Sequence, residues 1–192
     1  TTWFEYRHKL FDKITHGTHL SRPYRRTPST SRPMTSKDPN QETILIVSTQ
    51  VRDQGHLDSP WASGTQPTIE HIQQTLDDNP VSGTLVFGGG EPTLRPDFPE
   101  LVSLLPNSGI LATDGLALHK EAAVKMLVSR GLRNVRIPIH SARADAHDWL
   151  VGIPGAHRRT CTAIQTLFDN SVSVSAEITL TRPTTPYLEE TA

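Results

Sequence analysis

A single cysteine, Cys161, stands in 192 residues. That excludes an intrachain disulfide framework and fits a reducing compartment, so a cytoplasmic protein is expected. No apolar run approaches the roughly 20 residues a membrane-spanning helix needs, and no stretch reads as a secretory signal, so no membrane partner is expected. Neither charge is in excess: 19 Lys and Arg face 20 Asp and Glu. A uniform basic field for nucleic acid is therefore missing, and no nucleic-acid partner is expected. Hydrophobic residues reach only 35%. Even with glycine added the sum falls short of the ~45–50% usual for globular domains, which leaves part of the chain outside the core.

The charge is unevenly spread. Residues 1–40 carry 8 Lys or Arg against 3 Asp or Glu, a net of +5, while residues 41–192 carry 11 against 17, a net of −6. Five of the eleven aromatics, Trp3, Phe4, Tyr6, Phe11 and Tyr24, also lie in the first block. Trp3, Tyr6, Leu10 and Ile14 follow helical spacing, with Arg7, Lys9 and Lys13 on the polar side. Ser21 to Asn40 is rich in Ser, Thr, Pro and Arg, a composition that suits an extended tether. The expected organisation is a basic, aromatic helix plus tether over 1–40, then a folded unit over 41–192.

From residue 41 strands and helices alternate. β-Branched apolar runs predict strands at Thr43–Ser48, Gly83–Phe87, Gly109–Thr113, Asn134–Ile139 and Val172–Leu180. Helices are predicted at Pro67–Asp78, Asp97–Leu105, His119–Arg130 and His157–Asn170, with Pro67 and Asp97 in first turns and Gly131 closing the third. Tyr187–Thr191 begins one more. Five strands separated by helices imply right-handed βαβ units and a parallel sheet. A closed eight-fold barrel needs about 250 residues. The expected fold is α/β, a partial (β/α) barrel of about five parallel strands with outer helices.

In such sheets chemistry gathers beyond the carboxyl ends of the strands. After the second strand comes Gly88-Gly89-Gly90-Glu91-Pro92-Thr93-Leu94, where glycines let a ligand approach the backbone. Free amides there would hold a carboxylate, and Glu91 would neutralise an ammonium. Thr113-Asp114-Gly115 ends the third strand and His140-Ser141-Ala142 the fourth; Glu177 and Thr179 lie on the fifth. His140 reads as a satisfied inner histidine, and Cys161 as a small packed hydrophobe.

Residues 43–191 resemble the core of radical S-adenosylmethionine (radical SAM) enzymes. The likeness is carried by Gly89-Gly90-Glu91-Pro92-Thr93-Leu94-Arg95-Pro96-Asp97, Leu111-Ala112-Thr113-Asp114-Gly115, Gly131 to His140, His147-Asp148 and Gly152-Ile153-Pro154-Gly155. It implies SAM-binding positions at Gly89, Gly90, Glu91, Thr113, Asp114, Ser141, Glu177 and Thr179, with Glu91 toward the methionine amino group. Asp114 stands where that family often has a neutral Asn.

The same resemblance implies three cysteines, spaced Cys-x3-Cys-x2-Cys, after the first strand to hold a four-iron, four-sulfur cluster. This chain has Arg52, His56 and Ser59 there, and a register one residue away gives Val51, Gly55 and Asp58. Such clusters depend on thiolates, so no cluster and no metal are expected and SAM binding through the remaining contacts should be weak. The reading that follows is a pseudoenzyme: a cluster-less accessory, partner or scaffold subunit of a peptide- or cofactor-modifying system. The N-terminal arm would dock a cluster-bearing radical SAM enzyme or its peptide substrate. Two alternatives stand beside it. One is an enzyme with a divalent metal held by His56, Asp58, Glu91, Asp114, His140 or Glu177; the other is a SAM- or nucleotide-binding module.

Overall fold

The structure is a computed structural model that describes residues 41–52 and 64–192. The arm over 1–40, and His56, Asp58 and Ser59 of the loop after the first strand, lie outside the described residues.

Five strands form one parallel sheet in chain order: β1 Glu42–Ser48, β2 Thr84–Gly89, β3 Ile110–Ala112, β4 Asn134–Pro138 and β5 Ser173–Glu177. Between β1 and β2 lies α1 (Ile69–Asp78), and α2 (Phe98–Ser103) joins β2 to β3. α3 (Glu121–Ser129) leads to β4, α4 (Ala144–Val151) and α5 (Ala156–Asp169) lead to β5, and α6 (Leu188–Thr191) follows. Strands laid side by side in sequence order make the expected partial (β/α) barrel.

Alternation along each strand sorts the two faces. Val47, Leu85, Phe87, Leu111, Val135 and Ile137 are buried and join Leu101, Val124, Leu127, Ala163, Ile164 and Leu167 of the helices in one core. The opposite, concave face carries Ile44, Gly88 and Ala112; a Cβ on Gly88 would sit 3.6 Å from Ala112 Cβ and 3.7 Å from Ile44 Cγ2. Arg136 of β4 reaches Glu42 of β1, its Nη1 donating to Oε2 at 3.0 Å.

Three local details depart from the sequence reading. Pro67 precedes α1, whose N-cap is Thr68, its hydroxyl accepting from the His71 amide at 3.2 Å. Asp97 is the N-cap position of α2 but makes no side-chain capping bond; its carboxylate is held by Arg95 instead. The helix α4 was not expected at all. Its buried positions are only His147 and Leu150, too few to announce a helical stripe.

Candidate functional site

The site begins with the way β1 and β2 end. Their register runs evenly to Ile46↔Gly88, then shifts so that Ser48 faces Gly89. The Gly90 amide donates to Ser48 O at 2.7 Å and the Glu91 amide to Gln50 O at 2.6 Å. A Cβ on Gly89 would lie 2.6 Å from Ser48 O, and one on Gly90 2.1 Å from Gln50 O. The glycines therefore serve close approach of the β1 backbone. The amides expected to greet a ligand carboxylate at Gly90 and Glu91 are spent on that backbone.

This seam turns the Glu91 side chain into the protein, 6% exposed. One carboxylate oxygen, Oε1, accepts from the Thr93 amide at 2.9 Å, the Thr93 hydroxyl at 2.6 Å and the Thr113 hydroxyl at 2.7 Å. The other, Oε2, accepts from the Asp114 amide at 2.6 Å. Burial, together with the nearby Asp114 charge, pushes the Glu91 carboxyl up to about 7, against the pull of those donors. Asp114 divides its own oxygens: Oδ1 accepts from the Leu116 amide at 2.8 Å, closing a turn, and Oδ2 accepts from Arg52 Nε at 2.8 Å. Arg52 Nη2 also donates to Thr93 Oγ1 at 2.8 Å. Three strand ends are thus tied into one network by Arg52, Glu91, Thr93, Thr113 and Asp114.

Ser141, Glu177 and Thr179 belong elsewhere on the rim. Ser141 is fully buried and accepts from the Arg143 amide at 3.1 Å. The Thr179 amide donates to His140 Nδ1 at 3.2 Å. His140 is buried and satisfied, as expected, but it is not alone. Its ring stacks on His147 at 5.6 Å between centroids, and His157 meets His147 edge-on at 5.6 Å. The His140 amide donates to His147 Nδ1 at 3.2 Å. Burial lowers all three rings, His140 and His147 to about 4. Cys161 is half-buried against His157, Sγ lying 3.8 Å from Nε2.

Sequence reasoning missed this histidine column and one buried cation. Arg95, 4% exposed, grips Asp97 with Nε and Nη2 at 2.7 and 2.6 Å, while its Nη1 donates to Val47 O at 2.6 Å and Pro67 O at 2.8 Å. It pins the end of β1 and the start of α1 beneath the site. An arginine inside a Gly-Gly-Glu-Pro-Thr-Leu-Arg-Pro-Asp run, two residues from an Asp, was the available signal.

The donor set does not fit a four-iron cluster. No cysteine occurs between Thr49 and Gly64. Arg52, which the resemblance aligns with the first of the three positions, offers N–H donors and a fixed positive charge, with no lone pair for iron. Among the described residues, no group of three or more His, Cys, Asp or Glu side chains is placed to hold a metal ion. Nor, among them, is any helix long and apolar enough to cross a membrane.

No protein-family model matches the chain. The AdoMet-dependent heme synthase of Methanosarcina barkeri is 37% identical over 86 residues, 43% of this chain and 24% of that protein. The AdoMet-dependent heme synthase of Oleidesulfovibrio alaskensis is 29% identical over 115 residues, 58% of this chain and 29% of the relative. The 7,8-dihydro-6-hydroxymethylpterin dimethyltransferase of Methanocaldococcus jannaschii is 33% identical over 112 residues, 50% and 22% of the two chains. The chain spans about a quarter of the length of these relatives. Among solved structures, native anSMEcpe with bound AdoMet and Cp18Cys peptide superposes with a TM-score of 0.54 over 79% of this chain and 48% of that one, at 17% identity. Over the matched stretches the chain is similar to these AdoMet-dependent enzymes, and its fold is that of the AdoMet-bound solved structure.

Proposed function

We propose that this chain is a cluster-less radical-SAM-type protein that serves as an accessory or scaffold subunit in a peptide- or cofactor-modifying system of a reducing compartment. The observation that carries the reading is Arg52. The resemblance aligns it with the first cluster ligand, and its guanidinium donates to Asp114 and Thr93, each at 2.8 Å. A guanidinium so engaged does not ligate iron. Redox chemistry in that system belongs to another chain, a cluster-bearing radical SAM enzyme or the peptide it modifies being the partner. The basic, aromatic block over 1–40, with its net of +5 against −6 for the remainder, supplies the docking surface for such a partner.

Anaerobic reconstitution of the full chain with ferrous iron, sulfide and reductant tests the first half of this reading. The protein is expected to stay colourless and silent by electron paramagnetic resonance. A four-iron signature in stoichiometric amount would overturn it. For the second half, size-exclusion chromatography with a cluster-bearing radical SAM enzyme encoded in the same genome should give a complex that deletion of residues 1–40 abolishes. Failure of the full chain to associate rejects the docking role.

A further inference from the structure

An acid pair at three converging strand ends is where a ligand's ammonium group would be expected to sit. Here the acids are Glu91 and Asp114, joined directly by the Asp114 amide on Glu91 Oε2 at 2.6 Å. Two oxygens of a carboxylate offer about four acceptor positions. Glu91 receives four donors, three of them on Oε1 (two from Thr93, one from Thr113) and one, the Asp114 amide, on Oε2. Asp114 spends one oxygen on the Leu116 amide and the other on Arg52. Arg52 also donates to the Thr93 hydroxyl, which in turn donates to Glu91. One guanidinium therefore meets Asp114 directly and reaches Glu91 only through the Thr93 hydroxyl. The neighbouring amides that would cradle a carboxylate, those of Gly90 and Glu91, are paired with Ser48 O and Gln50 O. The amides that would hold the carboxylate end of an amino-acid zwitterion are thus paired, and the Asp114 oxygen that would meet its ammonium end carries the Arg52 guanidinium.

We infer that Arg52 and Asp114 form a built-in plug, in which the chain's own guanidinium occupies the ammonium position and closes the pocket to the methionine end of AdoMet. The inference deepens the accessory reading and rests on it. It also gives Asp114 a reason beyond its turn: in place of a neutral residue, an acid is needed to anchor the cation. The plug is a single side chain, and Arg52 is one-quarter exposed on its side chain, so it is open to removal without disturbing the core.

Isothermal titration of AdoMet into the metal-free full chain, compared with Arg52→Ala and Arg52→Lys, tests this, with circular dichroism confirming that each variant folds. Arg52→Ala should bind AdoMet at least about tenfold more tightly than the unaltered protein, the weight of one charge-assisted hydrogen bond regained. Low-millimolar guanidinium ion should refill the vacancy and weaken that binding competitively, which loss of a merely structural residue would not produce. Arg52→Lys should stay closed. Equal affinities for the unaltered chain and Arg52→Ala, including no detectable binding by either, overturn the plug. Should Arg52→Ala not fold, Asp114→Asn, which frees the guanidinium from its anchor, is read against the same two outcomes. All arms contain no iron, so their failure leaves the accessory reading standing; cluster uptake by the unaltered chain is the separate result that sinks that reading.

Discussion

Glu91 and the histidine column titrate in opposite directions, and the balance between them is open to measurement. Burial raises the folded-state Glu91 carboxyl from 4.5 to about 7. Between those values the folded chain keeps a proton that the unfolded chain has lost, so this group's contribution is present at low pH and is lost as pH rises toward 7. His140 and His147 are lowered from 6.5 to about 4 by burial, His147 also by its two histidine neighbours. Between pH 4 and 6.5 the unfolded chain takes up their protons and the folded chain does not, so stability rises with pH in that window. Each pKa unit is worth about 1.4 kcal/mol, and two histidines outweigh one acid. Urea unfolding across pH 4.5 to 8 should show stability climbing to about pH 6.5 and then easing slightly downward. Glu91→Gln should steepen the climb and remove the decline. Parallel profiles for the two proteins would show that Glu91 holds no buried proton. Only part of this was legible along the chain: His140 read as an inner histidine and the resemblance grouped Glu91 with Thr113 and Asp114, but neither the histidine column nor the buried carboxyl's hydrogen bonds could be read there. Glu91 was visible as a strand-end acid after three glycines, but its partners Thr113 and Asp114 lie more than twenty residues away on another strand.

At the level of elements, α5 illustrates how a helix is started from outside itself. Its N-cap is Gly155, in the left-handed conformation at φ 76°, with no side chain to offer. Asp148 of α4 supplies the cap instead: Oδ2 accepts from the Gly155 amide at 2.6 Å and Oδ1 from the His157 amide at 2.7 Å. The first-turn donors of α5 and their partial positive charge are thus met by a carboxylate from the preceding helix. Asp148→Ala should cost about 1–2 kcal/mol in urea unfolding, and Asp148→Asn, which keeps one acceptor oxygen, should recover part of it. A loss under 0.5 kcal/mol would mean that water caps the helix adequately. Here the sequence reading had α5 within one residue at either end, because Ala163, Ile164 and Leu167 give it a helical stripe. The helix α4, eight residues with two buried positions, passed unseen. Its existence depends on packing against α5 and on His147 reaching back to His140 just past β4, and neither is written in local periodicity.

For the molecule as a whole, fold and ligand chemistry separate. The parallel sheet was legible because strands and helices alternate along the chain, with a continuous apolar run marking β2 and a period-2 run marking β4. The resemblance to radical SAM enzymes came from motifs at strand ends, and here these shape turns and seams, as Gly89 and Gly90 do against β1. On the accessory reading proposed above, the cluster is lost through a handful of side chains in one loop. If that is so, donors returned to the fold should restore the cluster: Arg52→Cys, His56→Cys and Ser59→Cys together should take up about four irons per chain on anaerobic reconstitution, measured by iron and sulfide analysis with paramagnetic resonance. The triple variant also leaves Asp114 without its cation, facing a cluster bound through three thiolates. Like charges at short range disfavour each other, so adding Asp114→Asn should raise cluster occupancy further. A triple variant that folds by circular dichroism yet stays colourless, with or without Asp114→Asn, would move the obstacle from the identity of the donors to the path of the loop that carries them.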